Sequence, residues 1–237
     1  MTLKSFRNRC LIGAILLLSQ LAQAQRTILP QSLYWTRLYL RRVIQPHWEL
    51  HWEADNRRFF EPRGKQHQFI SHLHLHRTFA AKWEAWAGLS YSAVSTQDPN
   101  AAPAPVAQEL RFWQAISWQS SNKRLTFNHR LRWEERFFGL FDHRPERFAL
   151  RVRYALNLQY PLSRHLTFKA GDEVMVQWGR GNRQAFDQNR LWSGFEWPYA
   201  QRRGSVELLY YWMWQQNAGG DVFFDRDVVR LTVMQRI

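Results

Sequence analysis

Three imidazoles at alternate positions, in His72-Leu73-His74-Leu75-His76, mark the chain's most reactive spacing. On an extended backbone, side chains two residues apart share a face, so these rings project together. The preceding segment, His47-Trp48-Glu49-Leu50-His51-Trp52-Glu53-Ala54, puts Glu49, His51 and Glu53 on one face by the same rule. If the two segments pair about the middle of loop 59–66, His51 falls opposite His74, Glu53 opposite His72 and Glu49 opposite His76. Imidazoles backed by carboxylates in that arrangement suit a borderline divalent metal such as zinc, nickel or copper. The same residues also make an ordinary polar wall of hydrogen-bonded histidines. No other cofactor is implied.

A second constellation is built from arginine and glutamate. Its members are Glu109, Arg111, Arg130, Arg132, Glu134, Arg136, Arg151, Arg153, Lys169, Glu173 and Arg190, with Glu196 and Glu207 joining them. On neighbouring antiparallel strands such groups come within about 5 Å, close enough for bidentate arginine–carboxylate pairs. One chemistry is a closed network of buried, mutually satisfied charges, because an unpaired buried charge is costly. The other is an anion-selective passage, since bases outnumber acids here and arginine rings select phosphate or carboxylate. Catalytic patterns are missing: there is no Gly-x-Ser-x-Gly elbow, phosphate loop or His-Glu-x-x-His pair. Asn128 and His129, adjacent on one strand, face opposite sides, and Ser205 has no evident partner, so no catalytic residue is assigned.

The elements that must position these residues alternate with period two. Leu125, Phe127, Leu131, Trp133 and Phe137 alternate with Thr126, Asn128, Arg130, Arg132, Glu134 and Arg136. Phe148, Leu150, Val152, Tyr154, Leu156 and Leu158 alternate with Arg151, Arg153, Asn157 and Gln159. The pattern predicts strands near 47–58, 67–79, 82–95, 108–120, 123–138, 146–160, 165–178, 186–199, 204–216 and 226–237, with a weaker one at 33–42. Most are longer than the ~5–6 residues of soluble sheets and match the ~9–11 that cross a bilayer at a tilt. Tight connections at 80–81, 121–122, 163–164 and 200–203 alternate with longer polar loops at 59–66, 96–107, 139–145, 179–185 and 217–225. Trp48, Trp83, Trp118, Tyr160, Trp178, Trp197, Tyr199 and Trp214 fall near strand ends, as aromatic girdles require. The expected fold is all-β: a closed antiparallel transmembrane β-barrel of about 10–12 strands, with the polar face inward. Soluble sandwiches and periplasmic lipid-carrying barrels share the alternation but not the strand length or the placement of tryptophan. Ten strands give an even, closable count, which leaves 33–42 against or inside the barrel, or a twelfth strand unseen.

The chain of 237 residues suits one such domain. Its mean hydropathy of -0.53 excludes a bundle of membrane helices. Residues 1–24 read as a signal peptide: Lys4, Arg7 and Arg9 precede an apolar run from Leu11 to Leu18, and Ala22-Gln23-Ala24 offers a cleavage site. Residues 25–237 form the barrel, with 25–46 as an N-terminal extension or first strand. Cleavage removes the single cysteine, Cys10, and leaves a net charge of +11. Export argues against nucleic acid as the partner of so basic a chain. Arg57, Arg58, Arg63 and Lys65, Arg144 and Arg147, and Arg180 and Arg183 flank three long loops, where lipid and glycolipid phosphates of the outer membrane suit arginine. Val229, Leu231, Val233 and Ile237 share one face of the last strand, similar to the C-terminal signal read by barrel-assembly machinery. Gln235 and a terminal Ile depart from its usual form.

Five motifs in order then carry a family resemblance: Glu109-Leu110-Arg111-Phe112-Trp113-Gln114, His129-Arg130-Leu131-Arg132-Trp133-Glu134, Arg147 to Arg153, Asp172-Glu173, and Phe186-Asp187-Gln188-Asn189-Arg190 with Gly194. The chain resembles the domain of unknown function 2490 family of Gram-negative bacteria over nearly all of its mature length. The resemblance implies an exported outer-membrane β-barrel and carries no activity, cofactor or catalytic residue. The function expected from the residues and the resemblance together is structural, or a narrow, porin-like passive channel with an Arg/Glu-lined lumen, acting as a monomer. The alternative is an outer-membrane enzyme acting on lipid or glycolipid.

Overall fold

The computed structural model describes residues 26–102, 105–142, 145–179, 185–199 and 203–237. The expected signal segment and its cleavage after Ala24 lie outside the described residues, as do Arg144, Arg180 and Arg183. The alternating segments become eleven strands: β1 (Thr27–Gln45), β2 (Trp48–Phe59), β3 (Gln66–Ala80), β4 (Trp83–Val94), β5 (Ala107–Asn122), β6 (Leu125–Phe138), β7 (Arg147–Pro161), β8 (Thr167–Gly179), β9 (Phe186–Tyr199), β10 (Gly204–Gln216) and β11 (Val222–Arg236). No helix occurs among the described residues.

The strands close into one barrel, each paired with its sequence neighbours. Consecutive strands are antiparallel, while β1 closes the ring against β11 in parallel, Thr27 beside Val222 and Arg41 beside Arg236. The parity argument gives way here. Segment 33–42 belongs to a wall strand of 19 residues, neither lying against the barrel nor inside it. An odd strand count forces one parallel seam, because the first and last strands then run the same way. Short turns gather at one mouth and longer loops at the other.

Alternation sorts the side chains by face. Leu131, Trp133, Leu150, Tyr154, Leu208, Tyr210 and Trp212 stand exposed on the outside, while Arg132, Glu134, Arg151, Arg153 and Glu207 are buried inside. A soluble protein has the reverse arrangement; apolar-out and charged-in suits an apolar medium. Trp83, Trp197 and Tyr199 ring the outside near the short-turn mouth, and Trp178 stands near the other. The inside is not wholly polar. Leu33, Trp35, Phe59, Trp192, Leu209, Tyr211, Met213 and Val228 form an apolar seam along the stretch of wall around the closure.

Two glycines let large rings turn inward. A Cβ on Gly88 would stand 2.6 Å from both the Trp113 ring and the His74 Cβ. A Cβ on Gly171 would likewise meet the Trp192 ring. Each absent side chain is the space that an inward tryptophan fills.

Candidate functional site

The lumen holds a continuous belt of contacts, built strand by strand. Glu134 on β6 is fully buried and accepts from Arg151 Nε at 2.7 Å and Arg153 Nη1 at 2.9 Å, both on β7. Arg132 Nη2 lies 2.7 Å from Glu134 Oε1, an ion pair too bent to count as a hydrogen bond. Arg153 also donates through Nη2 to both Glu173 oxygens on β8, each at 2.8 Å. Arg130 reaches the same carboxylate at 2.9 Å, and Arg190 on β9 approaches to 3.7 Å.

Arg190 then lies 5.6 Å from the ring of Trp35 on β1, and Arg57 on β2 covers the same ring at 4.0 Å. In the other direction Arg132 stacks 3.7 Å over Trp113 on β5, whose ring is 5.1 Å from His74 on β3. His74 meets Glu53 on β2 at 2.9 Å, and Arg37 on β1 holds Glu53 at 2.9 Å and Asp55 at 2.5 Å. The belt therefore returns to β1.

Smaller clusters flank it. Glu109 on β5 is held bidentately by Arg111 at 2.6 Å and by Arg136 at 2.5 and 3.0 Å; Arg136 also donates to Gln177. Arg151 reaches Asp187 at 3.1 Å. Lys169 bridges Glu207 at 2.5 Å and Glu196 at 3.1 Å, and Arg230 donates to Glu207 at 2.7 Å. Every residue of the arginine–glutamate set picked from the sequence points into the lumen.

Alternation on strands 123–138 and 146–160 makes most of that set visible. Arg37, Asp55, Arg57, Asp187, Arg226 and Arg230 join it without having been singled out as lumen groups. Arg57, expected to flank a loop, is instead buried against Asp55 and Gln68. Two-residue alternation continued through 55 and 57 was the available signal.

The space left inside has two parts, which share Asn157, Trp192 and Arg230 in their walls. A chamber of about 550 Å³ in the long-loop half is lined by twelve arginines and by Glu53, Glu109 and Glu173. A smaller one, about 220 Å³, is lined by Asn128, Asn157, Lys169 and Glu207 in the short-turn half. Residues of the β4–β5 loop fold across the larger mouth: Gln97 accepts from Gln31 and from Arg226, and Lys65 donates to the Pro99 carbonyl. Arg226 is bound by Gln31 at 2.6 Å, Gln215 at 2.5 Å and Gln97 at 2.9 Å. Arg132 Nε has no hydrogen-bond acceptor and its Nη2 meets Glu134 only through the bent ion pair, while Nε of Arg57, Arg130, Arg190 and Arg230 is likewise unmatched. Donors thus exceed acceptors around the chamber.

The histidine set divides. The register pairs Glu49 with His76, His51 with His74 and Glu53 with His72. His51, His74 and His76 converge, each offering a nitrogen within 4.8 Å of the others. His72 turns away, its Nδ1 meeting Ser90 at 2.5 Å, and Glu53 serves His74 and Arg37 instead of His72. The His72–Ser90 contact has the look of a base and nucleophile, but Ser90 is 0 % exposed and its oxygen also accepts from the Trp113 indole, so no substrate reaches it. On the outer face His129 stacks on Trp118 and meets the Tyr154 hydroxyl at 2.9 Å.

A closed barrel, apolar outside and lined by paired charge within, is the architecture of the outer-membrane β-barrels. More narrowly, the chain belongs to the family described as protein of unknown function (DUF2490), which it matches over residues 33–224. Among solved structures it is similar to the outer-membrane expressed OmpT of Vibrio cholerae, with 14% identity, 73% of this chain and 57% of that one covered, and a TM-score of 0.40. The in-vitro folded OmpT in trimer form gives 12%, 74%, 58% and 0.40 for the same quantities. The FpvAI–pyocin S2 complex gives 12%, 76%, 29% and 0.37. This chain spans less than two thirds of the length of those proteins. No curated protein matches it.

Proposed function

We propose that the protein is a monomeric barrel of the Gram-negative outer membrane whose lumen is closed by paired charge, so that it serves as a structural element or at most a narrow passage preferring anions. The observation that carries this reading is the burial of mid-lumen charge. Arg132, Glu134, Arg153 and Glu173 are between 0% and 9% exposed although they face the barrel axis. A water-filled pore would wet them. Eleven strands enclose a wider lumen than the eight-stranded barrels that side chains fill, and here large inward residues such as Arg132, Arg153, Trp35 and Trp113 take up much of the added space. The surplus of guanidinium over carboxylate around the larger chamber sets the sign of any ion that enters. At the membrane surface, arginines such as Arg63 in the β2–β3 loop suit the phosphates of lipid and glycolipid.

Planar-bilayer recording on refolded protein tests the reading. Wild type is expected to be nearly silent, and the Arg132→Ala/Glu134→Ala double variant to open a small conductance. Should wild type pass small currents, they will favour anions, and Arg132→Glu will weaken or reverse the preference. A large wild-type conductance without ion preference would overturn the proposal.

A further inference from the structure

His51, His74 and His76 converge where the belt passes from Trp113 to Glu53, with His74 as the shared member. The rings are held from several sides. His51 stacks on His76 with centroids 3.7 Å apart, and Trp86 stacks on His76 at 4.2 Å. The Tyr39 hydroxyl takes His51 Nδ1 at 2.5 Å, and Glu53, itself fixed by Arg37, takes His74 Nε2 at 2.9 Å. Those contacts occupy one nitrogen of His51 and one of His74, while His76 Nδ1 has Glu84 at 4.0 Å. The remaining nitrogens point into the cluster: His74 Nδ1 stands 2.7 Å from His76 Nε2, and His51 Nε2 stands 3.0 Å from a Glu49 oxygen.

We propose that these residues form a site for a divalent transition metal of the zinc, cobalt or copper class, with His51 Nε2, His74 Nδ1 and His76 Nε2 as nitrogen ligands and Glu49 as the carboxylate. Metal–nitrogen bonds of about 2.0–2.1 Å put the donors of a tetrahedron roughly 3.4 Å apart. The three histidines each offer a nitrogen within 4.8 Å of the others and Glu49 stands 3.0 Å from His51; the stacked His51 and His76 rings turn about their side-chain torsions to bring their in-plane lone pairs onto one ion. The contacts behind the rings have the form that metal sites use. A carboxylate on the far nitrogen of a ligating histidine fixes its tautomer and raises its basicity, and Glu53 stands in that position behind His74. The three imidazoles are buried, whereas Glu49 and Glu84 are about one-third and two-fifths exposed, which gives an ion a polar approach from the short-turn mouth. All-nitrogen and oxygen donors exclude a soft-metal preference, and a chain with no cysteine beyond Cys10 has no thiolate to offer.

The test uses the full mature chain without a histidine tag, refolded in detergent, stripped with chelator and titrated with Co²⁺, Zn²⁺ and Cu²⁺ alone. The expected result is one ion per chain, visible absorption bands of tetrahedral Co²⁺ that Zn²⁺ abolishes, and a Cu²⁺ resonance coupled to nitrogen. His76→Ala should weaken binding by more than ~100-fold, and Glu53→Gln by ~10–100-fold, as losses behind a ligand do. His72→Ala, on the same strand but turned to Ser90, should leave binding unchanged. Absence of stoichiometric binding by wild type would overturn the proposal even if no variant folds. So would binding that survives in His76→Ala or is lost only in His72→Ala.

Discussion

Gln97, on the loop after β4, holds the guanidinium of Arg226 on β11 with its side-chain oxygen at 2.9 Å, across 129 residues of chain. The pair ties a loop to the far wall of the long-loop mouth. The hydrogen-bonded acceptors around Arg226 are amides, from Gln31, Gln97 and Gln215, rather than carboxylates.

A buried cation satisfied only by amides costs desolvation that ion pairing does not offset. Arg226→Met should therefore leave the refolded barrel as stable in urea as wild type, or more so, while freeing the loop. Limited proteolysis between residues 95 and 102 should speed up. Unchanged cleavage together with lost stability would show that Arg226 supports the wall rather than the loop.

Glu134 receives three arginines; its neutralisation strands buried Arg132 and removes one of two carboxylates from Arg151 and Arg153, which keep Asp187 and Glu173. Glu134→Gln is expected to cost about 3–5 kcal/mol in denaturant unfolding, in line with breaking one side of a buried pair. Glu84→Gln, two-fifths exposed beside His76, should cost less than about 1 kcal/mol. Equal losses for the two would mean that the mid-lumen network contributes nothing beyond surface pairing.

Gly88 makes room for Trp113, and Trp113 carries Arg132 on its face. Gly88→Val should push the indole aside, shift its fluorescence and destabilise the barrel by about 1–3 kcal/mol, the usual penalty for overpacking. The matching change on the outward side, Ala87→Val, should be near neutral. A Gly88→Val protein with native fluorescence and stability would contradict the packing described.

The parallel seam gives a register that chemistry can read. Leu38 and Val233 are direct partners across β1 and β11, both outward. Cysteines at these two positions should oxidise to a disulfide in the folded barrel, because neighbouring strands hold Cα atoms within bridging distance. With Leu38 and Val229 instead, four residues out of register, no bridge should form. A bridge only from β2 to β11 would show a ten-stranded closure with β1 displaced.

Much of this architecture is written in alternation, and the exceptions are instructive. From 47 onward most strands have one apolar and one polar face, β10 with Leu209, Tyr211 and Met213 inward being an exception, and the strand limits fall within a few residues of those observed, except that β11 begins at Val222 rather than 226. β1 hid because Leu33 and Trp35 face inward while Tyr34 and Leu38 face outward, so neither side is polar. Those inward residues pack on Leu209, Tyr211 and Val228, a contact no local pattern discloses. The pairing of the first hairpin followed from centring its loop. Separation of His72 from the other three histidines did not, since it depends on Ser90, its register partner on β4, and on rotamers that spacing leaves open.

The parallel seam between β1 and β11 also governs how the barrel can be made and remade. Every other seam joins strands adjacent in the chain, but this one bonds Gln31 to Arg226, 195 residues apart. Such high contact order puts closure at the end of folding, after the hairpins have formed. It also leaves the two strand ends at opposite mouths, separated by a strand of 15 residues, or about 50 Å at ~3.3 Å per residue. A circular permutant joining them by a short linker is therefore excluded, and a tag fused ahead of β1 would emerge on the opposite side of the membrane from one fused after β11.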